Sequence, residues 1–313
     1  MSLAKLPAIV LGGNVFGWNL DEKSSHALLD ASVAGGLNAV DTADVYSHWK
    51  PGNKGGESET IIGTWLKGRG RRDDVFIHTK GGAPGALGEL ANANLTSAYL
   101  TKAVEASLRR LQTDYIDLYY VHYDDKVTPP EETLGCFQCL MQAGKIREIA
   151  ASNYDPARLT QSLDTAQVKG LPAFSALQTL YNLYDRAPFE RELQGLCVKR
   201  GLKVLPYFSL ARGFLSGKYR SKDDLGKSAA RGGGVVDYLN PRGMRILDAL
   251  ADVARARNAT SAQVALAWLK AKPAVAAPIA SATSKSQLDD LIAAAALRLN
   301  AAEIAKLDAA SVP

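Results

Sequence analysis

Leu37-Asn38-Ala39-Val40-Asp41-Thr42-Ala43-Asp44-Val45-Tyr46 is a short apolar run that ends on an acid and continues to a tyrosine. It follows Gly35-Gly36, a helix stop, and is too short for a helix of its own, so it reads as a buried strand with Asp41 at its carboxyl end. Two later stretches repeat the pattern. Val75-Phe76-Ile77-His78-Thr79 runs into Lys80, and Ile116-Asp117-Leu118-Tyr119-Tyr120-Val121 runs into His122. Helix-like segments, Glu57–Lys67 and Ser97–Leu111, separate the three. Strands that alternate with helices pair in parallel, and in a parallel barrel their carboxyl ends share the face where chemistry collects.

The alternation extends outward in both directions. Leu11–Gly17 reads as the first strand with its exit loop, followed by the helix Ser24–Ala34. The loop Tyr123–Thr128 leads to a helix opened by Pro129-Pro130-Glu131-Glu132, and Thr96 is placed to cap the helix before it. Ile146–Ala151, Phe174–Gln178, Leu202–Leu205 and Val275–Ile279 read as strands five to eight. Helices are expected at Pro156–Ala166, Pro188–Lys199, from Pro241, at Ser261–Lys270, Lys285–Ala296 and Ala301–Ala309. A long irregular loop, Phe208 to Asn240, follows strand seven. Eight such units in 313 residues predict an α/β fold, a (β/α)8 TIM barrel, with residues 1–313 as a single domain. A doubly wound sheet is the competing topology. It is disfavoured because Gly12-Gly13-Asn14-Val15-Phe16-Gly17 lacks the G-x-G-x-x-G spacing and opens no immediate helix.

Composition is that of an ordinary globular chain, with 47% hydrophobic and 22% charged residues. The net charge of +5 is spread along the sequence. Its densest run, Arg69-Gly70-Arg71-Arg72, comes with no nucleic-acid motif and reads as a solvated turn. Three cysteines make no disulfide framework, and Cys136-x-x-Cys139 has no second pair to complete a zinc site, so both read as core residues of one helix. The N-terminus shows no signal-peptide core, and no run reaches the roughly 18 apolar residues of a membrane helix. The expected location is cytoplasmic, with no membrane or nucleic-acid partner and no metal.

The ionisable groups at the ends of strands two to four suit one chemistry. A tyrosine hydroxyl has an ordinary pKa near 10, too high for easy proton exchange at neutral pH. A neighbouring ammonium, Lys80, would favour the phenolate, and Asp41 would hold Lys80 charged and oriented. His122 would donate a hydrogen bond to a substrate oxygen or relay a proton. A general acid beside an electrophilic donor fits a carbonyl becoming an alkoxide. Taken singly, an acid at a strand end can cap a turn, a lysine can be a surface charge, and a tyrosine or histidine can simply pack. Their joint placement on three successive strand ends is what points to a site.

Asp41-Thr42-Ala43-x-x-Tyr46, His78-Thr79-Lys80 and Leu118-Tyr119-Tyr120-x-His122-x-x-Asp125 resemble the aldo-keto reductase superfamily. Gly56-x-Ser58-Glu59, Ser152-Asn153, Gln178, the run Tyr207 to Tyr219 and Gln287-Leu288 extend the resemblance over nearly the whole chain. It is most similar to bacterial reductases akin to the voltage-gated potassium channel β subunits. The resemblance implies Tyr46 as proton donor, tuned by Lys80 and Asp41, with His122 orienting the carbonyl. It implies NADPH as hydride source, with NADH the alternative, and a small-molecule carbonyl as substrate. Ser152, Asn153 and Gln178 would hold the nicotinamide carboxamide, Tyr207 would stack on the ring, and Gly13, Asn14 and Asp41 would border it. Phe208, Ser209, Leu210, Ala211 and Gly213, with Lys218, would follow the pyrophosphate. Ser281, Thr283, Lys285 and Gln287 would meet the adenosine 2′-phosphate.

The chain departs from the family pattern in three places. Phe208-Ser209 replaces the usual Ser-Pro, Ala280-Ser281-Ala282-Thr283 replaces a Pro-Gly-Ala followed by a cation, and Leu291 stands where an Asn is common. Fewer cations therefore face the expected 2′-phosphate. Phe16, Trp18, Trp49 and Tyr123 are the expected substrate walls, suited to a small aldehyde or ketone with an apolar group. Two other readings keep the same tetrad: a regulatory subunit that senses NADP(H), and a dehydrogenase of sugars or alcohols. Oligomeric state is left open.

Overall fold

A computed structural model describes residues 3–85, 92–227 and 232–313 of the chain. Among these residues eight strands form the barrel: β1 (Val10–Gly12), β2 (Ala39–Asp41), β3 (Phe76–Gly81), β4 (Ile116–Val121), β5 (Ile146–Ser152), β6 (Ala176–Leu180), β7 (Lys203–Tyr207) and β8 (Ile279–Ala280). All the pairings are parallel, in the order β7-β6-β5-β4-β3-β2-β1-β8. The sheet nearly closes at Val204, whose N–H donates to Ala274 O at 2.8 Å and whose carbonyl accepts from Ala276 N at 2.9 Å. The expected eighth strand, Val275–Ile279, is thus displaced. Val275 makes only an isolated bridge to Val204, and the ladder to β1 lies at Ile279–Ala280.

Among the described residues ten α-helices run around the barrel: α1 (Glu22–Ala34), α2 (Glu57–Arg69), α3 (Ser97–Leu111), α4 (Pro130–Gln142), α5 (Pro156–Lys169), α6 (Gln194–Arg200), α7 (Pro241–Arg257), α8 (Ser261–Lys270), α9 (Lys285–Ala296) and α10 (Ala301–Ala310). The expected helix from Pro188 begins as a π-helical turn, Phe189–Leu193, before α6. Thr96 does sit at the N-cap of α3, but its side chain makes no cap bond. Its hydroxyl donates to Asn94 Oδ1 instead, and the Ser97 amide is satisfied by Glu132 Oε1 at 2.9 Å. The backbones of α2 and α3 nearly touch, since a Cβ on Gly63 would lie 2.0 Å from Arg110 O.

Side-chain alternation along each strand divides the core in two. Val10, Ala39, Phe76, Leu118, Tyr120, Ala150, Ala176 and Leu205 fill the barrel interior, and Leu3 closes its floor. Their neighbours Leu11, Val40, Ile77, Tyr119, Val121, Ile149, Leu177 and Val204 pack outward against the helices. The same period carries Asp41, Lys80, His122, Ser152, Gln178 and Tyr207 to the inward side at the carboxyl end of the barrel.

The basic run is a turn, as expected, but not simply a solvated one. Arg69 pairs with Asp74 at 2.8 Å, and Arg72 reaches the buried Asp117 at 2.7 Å. In α4, Cys136 is buried while Cys139 is exposed, which corrects its assignment to the core. Phe16 is fully buried against Gly13 and is a core residue, not a substrate wall. No helix among the described residues is long and apolar enough to cross a membrane.

Candidate active site

The centre of the site is the fully buried ammonium of Lys80. Its Nζ donates to Asp41 Oδ2 at 2.7 Å, to Thr42 O at 2.7 Å and to the Tyr46 hydroxyl at 2.8 Å. Three acceptors satisfy the three N–H bonds that an ammonium offers. β2 and β3 set this arrangement. Asp41 lies opposite His78 in the ladder, so Lys80, two residues further on, points into the barrel just beyond Asp41. The chain then turns, with Thr42 N on His78 O and Asp44 N on Lys80 O, and brings Tyr46 back over the lysine.

The Tyr46 hydroxyl also lies 3.4 Å from Asp41 Oδ2. Burial and the Asp41 charge push its pKa well above the ordinary value, against the expectation of a lowered one. The Lys80 ammonium donates to the same hydroxyl, and the net shift is still upward. Burial in turn pulls the Lys80 pKa down, with Asp41 holding it up. The resting tyrosine therefore keeps its proton, as a group that donates one must. His122 lies at the end of β4, its ring 6.2 Å from that of Tyr46. Burial and the Lys80 charge lower its pKa well below the ordinary histidine value, so the imidazole is neutral. A neutral imidazole still offers one N–H to a carbonyl oxygen.

Gln178, expected to hold a carboxamide, is bonded to the acid. Its Nε2 donates to Asp41 Oδ1 at 2.9 Å across the barrel. Asn153, with φ of 55°, donates to His122 O at 3.0 Å and to Ser152 Oγ at 3.2 Å, and accepts from the Tyr207 hydroxyl at 2.8 Å. Burial pushes that Tyr207 hydroxyl up to about 12. Ser152, Asn153 and Tyr207 thus form one group beside the tetrad.

Beyond β7 the backbone is strained. Phe208, Ala211 and Arg212 have φ of 49°, 45° and 58°, and Gly213 follows at 93°. Left-handed non-glycine residues cost about 1–3 kcal/mol each and cluster at ligand clamps. Ser209 is buried, with its hydroxyl on Pro206 O at 3.0 Å, and Leu210 leads into the short helical turn Ala211–Ser216. Lys218 Nζ lies about as close to Gly213 as a side chain there would allow. Asn182 supports the loop by donating to Phe208 O at 3.0 Å and to Asp185 at 3.0 Å, and Tyr238 donates to the same Asp185 oxygen at 2.8 Å. Sequence reading missed Asn182, Asp185 and Tyr238, which carry no local motif.

On the other side of the mouth, Ser281 Oγ donates to Asn14 Oδ1 at 2.6 Å, and Gly13 N donates to Asp41 O at 2.8 Å. Thr283 donates through N and Oγ1 to Gln287 Oε1, and Ser284 caps α9. The exposed Lys285 is already paired with Asp289, at 2.7 Å. Trp18 and Trp49 meet edge-on at 5.5 Å, Trp49 lies 5.9 Å from Tyr46, and Tyr123 stacks on His122 at 5.1 Å. Asp125 ties the rim together, accepting from Leu95 N, Val127 N and Thr128 N.

Residues 8–312 match the model of the aldo/keto reductase family. The chain belongs to that family. It is 32% identical to aldo-keto reductase AMT2 of Alternaria alternata, over 96% of this chain and 86% of the relative. It is 30% identical to protein tas of Escherichia coli strain K12, over 98% and 95%, and 30% identical to versiconal hemiacetal acetate reductase of Aspergillus parasiticus, over 95% and 89%. An aldo/keto reductase is an oxidoreductase that uses a nicotinamide cofactor on small carbonyl compounds, and the barrel fits that class.

Proposed function

We propose that the protein is an NADPH-dependent reductase of aldehydes and ketones in which Tyr46 is the proton donor. The observation that carries this reading is the Lys80 ammonium, bound at once to Asp41 and to the Tyr46 hydroxyl beside a neutral imidazole. A carbonyl oxygen seated between Tyr46 and His122 receives two hydrogen bonds, which polarise the C=O bond and steady the charge that grows on oxygen. As the carbon–oxygen π bond opens, the Tyr46 proton passes to that oxygen, and Lys80 stabilises the phenolate left behind. When bound, NADPH would supply the hydride that the carbonyl carbon receives.

Several features of the chain suit that cofactor. The segment from Phe208 to Gly213, left-handed at Phe208, Ala211, Arg212 and Gly213, with Lys218 beside it, fits a clamp for a pyrophosphate. Tyr207, pinned through its hydroxyl to Asn153, offers a fixed ring face for the nicotinamide, with Ser152 and Asn153 at its carboxamide. Gly13 and Asn14 would border the ring beside Asp41, while Ser281, Thr283, Lys285 and Gln287 surround the capped start of α9, where an anion would be favoured. Because Lys285 is already paired, discrimination against NADH is modest. Trp18, Trp49 and Tyr123 favour carbonyls with an apolar or aromatic group.

The test mixes the protein with NADPH and a panel of aldehydes that includes 4-nitrobenzaldehyde, wild type beside Tyr46→Phe. Turnover lost in the variant, by about 10²–10⁴-fold, with NADPH binding retained, is the expected result. Tight NADPH binding without turnover of any carbonyl would overturn the reading in favour of a nucleotide sensor.

A further inference from the structure

Gln178 and Asp41 stand on strands four places apart in a sheet of eight, on opposite walls of the barrel. Their side chains nevertheless meet, Nε2 to Oδ1, at 2.9 Å, and both are buried. The orientation of the amide follows from its partner: a carboxylate can only accept, so the atom facing it is the NH2 group. Asp41 thereby has separate duties for its two oxygens. Oδ1 is held by Gln178, and Oδ2 receives Lys80 Nζ and lies 3.4 Å from the Tyr46 hydroxyl. An Asp41 released from Gln178 has an unsatisfied buried oxygen, and the donors around it are Lys80, Tyr46 and the buried Tyr120 hydroxyl, which lies beside both Asp41 and Gln178.

We propose that Gln178 is a positioning residue for the proton donor: by holding Asp41 Oδ1 from across the barrel, it keeps the carboxylate on Lys80 and away from the tyrosine hydroxyl. This rests on the reading of Tyr46 as the acid and extends it. Residue 178 then acts on acidity as well as on binding. The carbonyl end of the same amide is left to accept from an N–H donor such as a carboxamide, so a ligand at Gln178 Oε1 is linked through Asp41 and Lys80 to the tyrosine.

The test uses Gln178→Met, which keeps the length and loses the donor, and Gln178→Glu, which regains a donor only when protonated. The kcat at saturating NADPH and aldehyde is followed against pH, and the NADPH Kd is measured separately by fluorescence. In Gln178→Met, kcat is expected to fall about tenfold, and the alkaline limb to move up by about one pH unit, because a tyrosine drawn onto a carboxylate is a weaker acid. In Gln178→Glu, activity is expected to recover toward acid pH, where the protonated side chain donates to Asp41. A raised Kd with kcat and its pH profile unchanged would reduce Gln178 to a cofactor ligand and overturn the proposal. A double-mutant cycle of Gln178→Met with Asp41→Ala, which removes the accepting oxygen, read by urea unfolding, tests the contact without any turnover. Non-additive midpoints establish the Gln178–Asp41 contact whether or not Tyr46 is the acid, and strictly additive ones sink the proposal.

Discussion

Replacement of Lys80 by methionine separates what the buried ion pair does for the fold from what it does for chemistry. The Lys80 side chain is fully buried and that of Asp41 is 2% exposed. Lys80→Met keeps most of the volume but removes all three N–H donors. Asp41 is left as a buried charge on Gln178 alone, with Tyr46 at long range, and Thr42 O loses its partner. Breaking one side of a buried pair costs about 3–5 kcal/mol. The double variant Asp41→Asn with Lys80→Met removes the orphaned charge, and the amide oxygen introduced by Asp41→Asn can still accept from Gln178. Its stability should return to within about 1–2 kcal/mol of wild type. Activity should not return, because Tyr46 has lost the cation that stabilises its phenolate, a loss of about 10²–10⁴ in kcat. Urea unfolding at pH 7 and single-turnover oxidation of NADPH give the two readouts. A Lys80→Met protein as stable as wild type would refute the account of the ion pair. A double variant that turned over normally would refute the role given to Lys80 in catalysis.

Two further predictions concern acid stability and cofactor choice. His78 sits inside the barrel between Phe76 and Lys80, and burial together with the Lys80 charge lowers its pKa to about 3. The unfolded chain takes up that proton near pH 6.5 and the folded one does not, so stability is lost as pH falls through this window. His78 alone should remove about 2–3 kcal/mol between pH 7 and pH 4.5, and His78→Leu should flatten urea-unfolding stability over that range by this amount; an unchanged slope would exclude His78 as its source. Asp289→Ala frees Lys285 from its exposed ion pair, so NADPH should bind about two- to fivefold more tightly while NADH is unaffected, with the gain fading in high salt. Equal changes for both nucleotides in a binding titration would place the 2′-phosphate elsewhere.

The signals legible in the sequence are local ones. A strand that is buried on both faces shows as an apolar run, and the polar residue at its end shows as a break in that run. Asp41, Lys80 and His122 can therefore be read as three strand ends on one face from the sequence alone. Their inward direction also follows, because side chains alternate with period two and the interior residues Ala39, Phe76 and Tyr120 lie an even number of positions before them. Helix starts are nearly as legible, yet Thr96 does not cap with its side chain as expected. Glu132, 35 residues away from Ser97, instead accepts from the first amide of the helix.

What the sequence by itself determined was the alternation of eight strands and helices, and with it the (β/α)8 barrel and the membership of the mouth. What only the tertiary structure decided was which partner each of those groups takes. Gln178 lies 137 residues from Asp41 and bonds to it because closing the barrel brings β6 opposite β2. The direction of the tyrosine's pKa shift was decided in the same way. Sequence supplies the lysine, but burial and the second distance to Asp41, 3.4 Å, decide the balance. Hydrophobic patterning is a sum over neighbours in the chain and survives in one dimension. Hydrogen-bond partners and desolvation depend on distances through space, and these exist only once the sheet has closed.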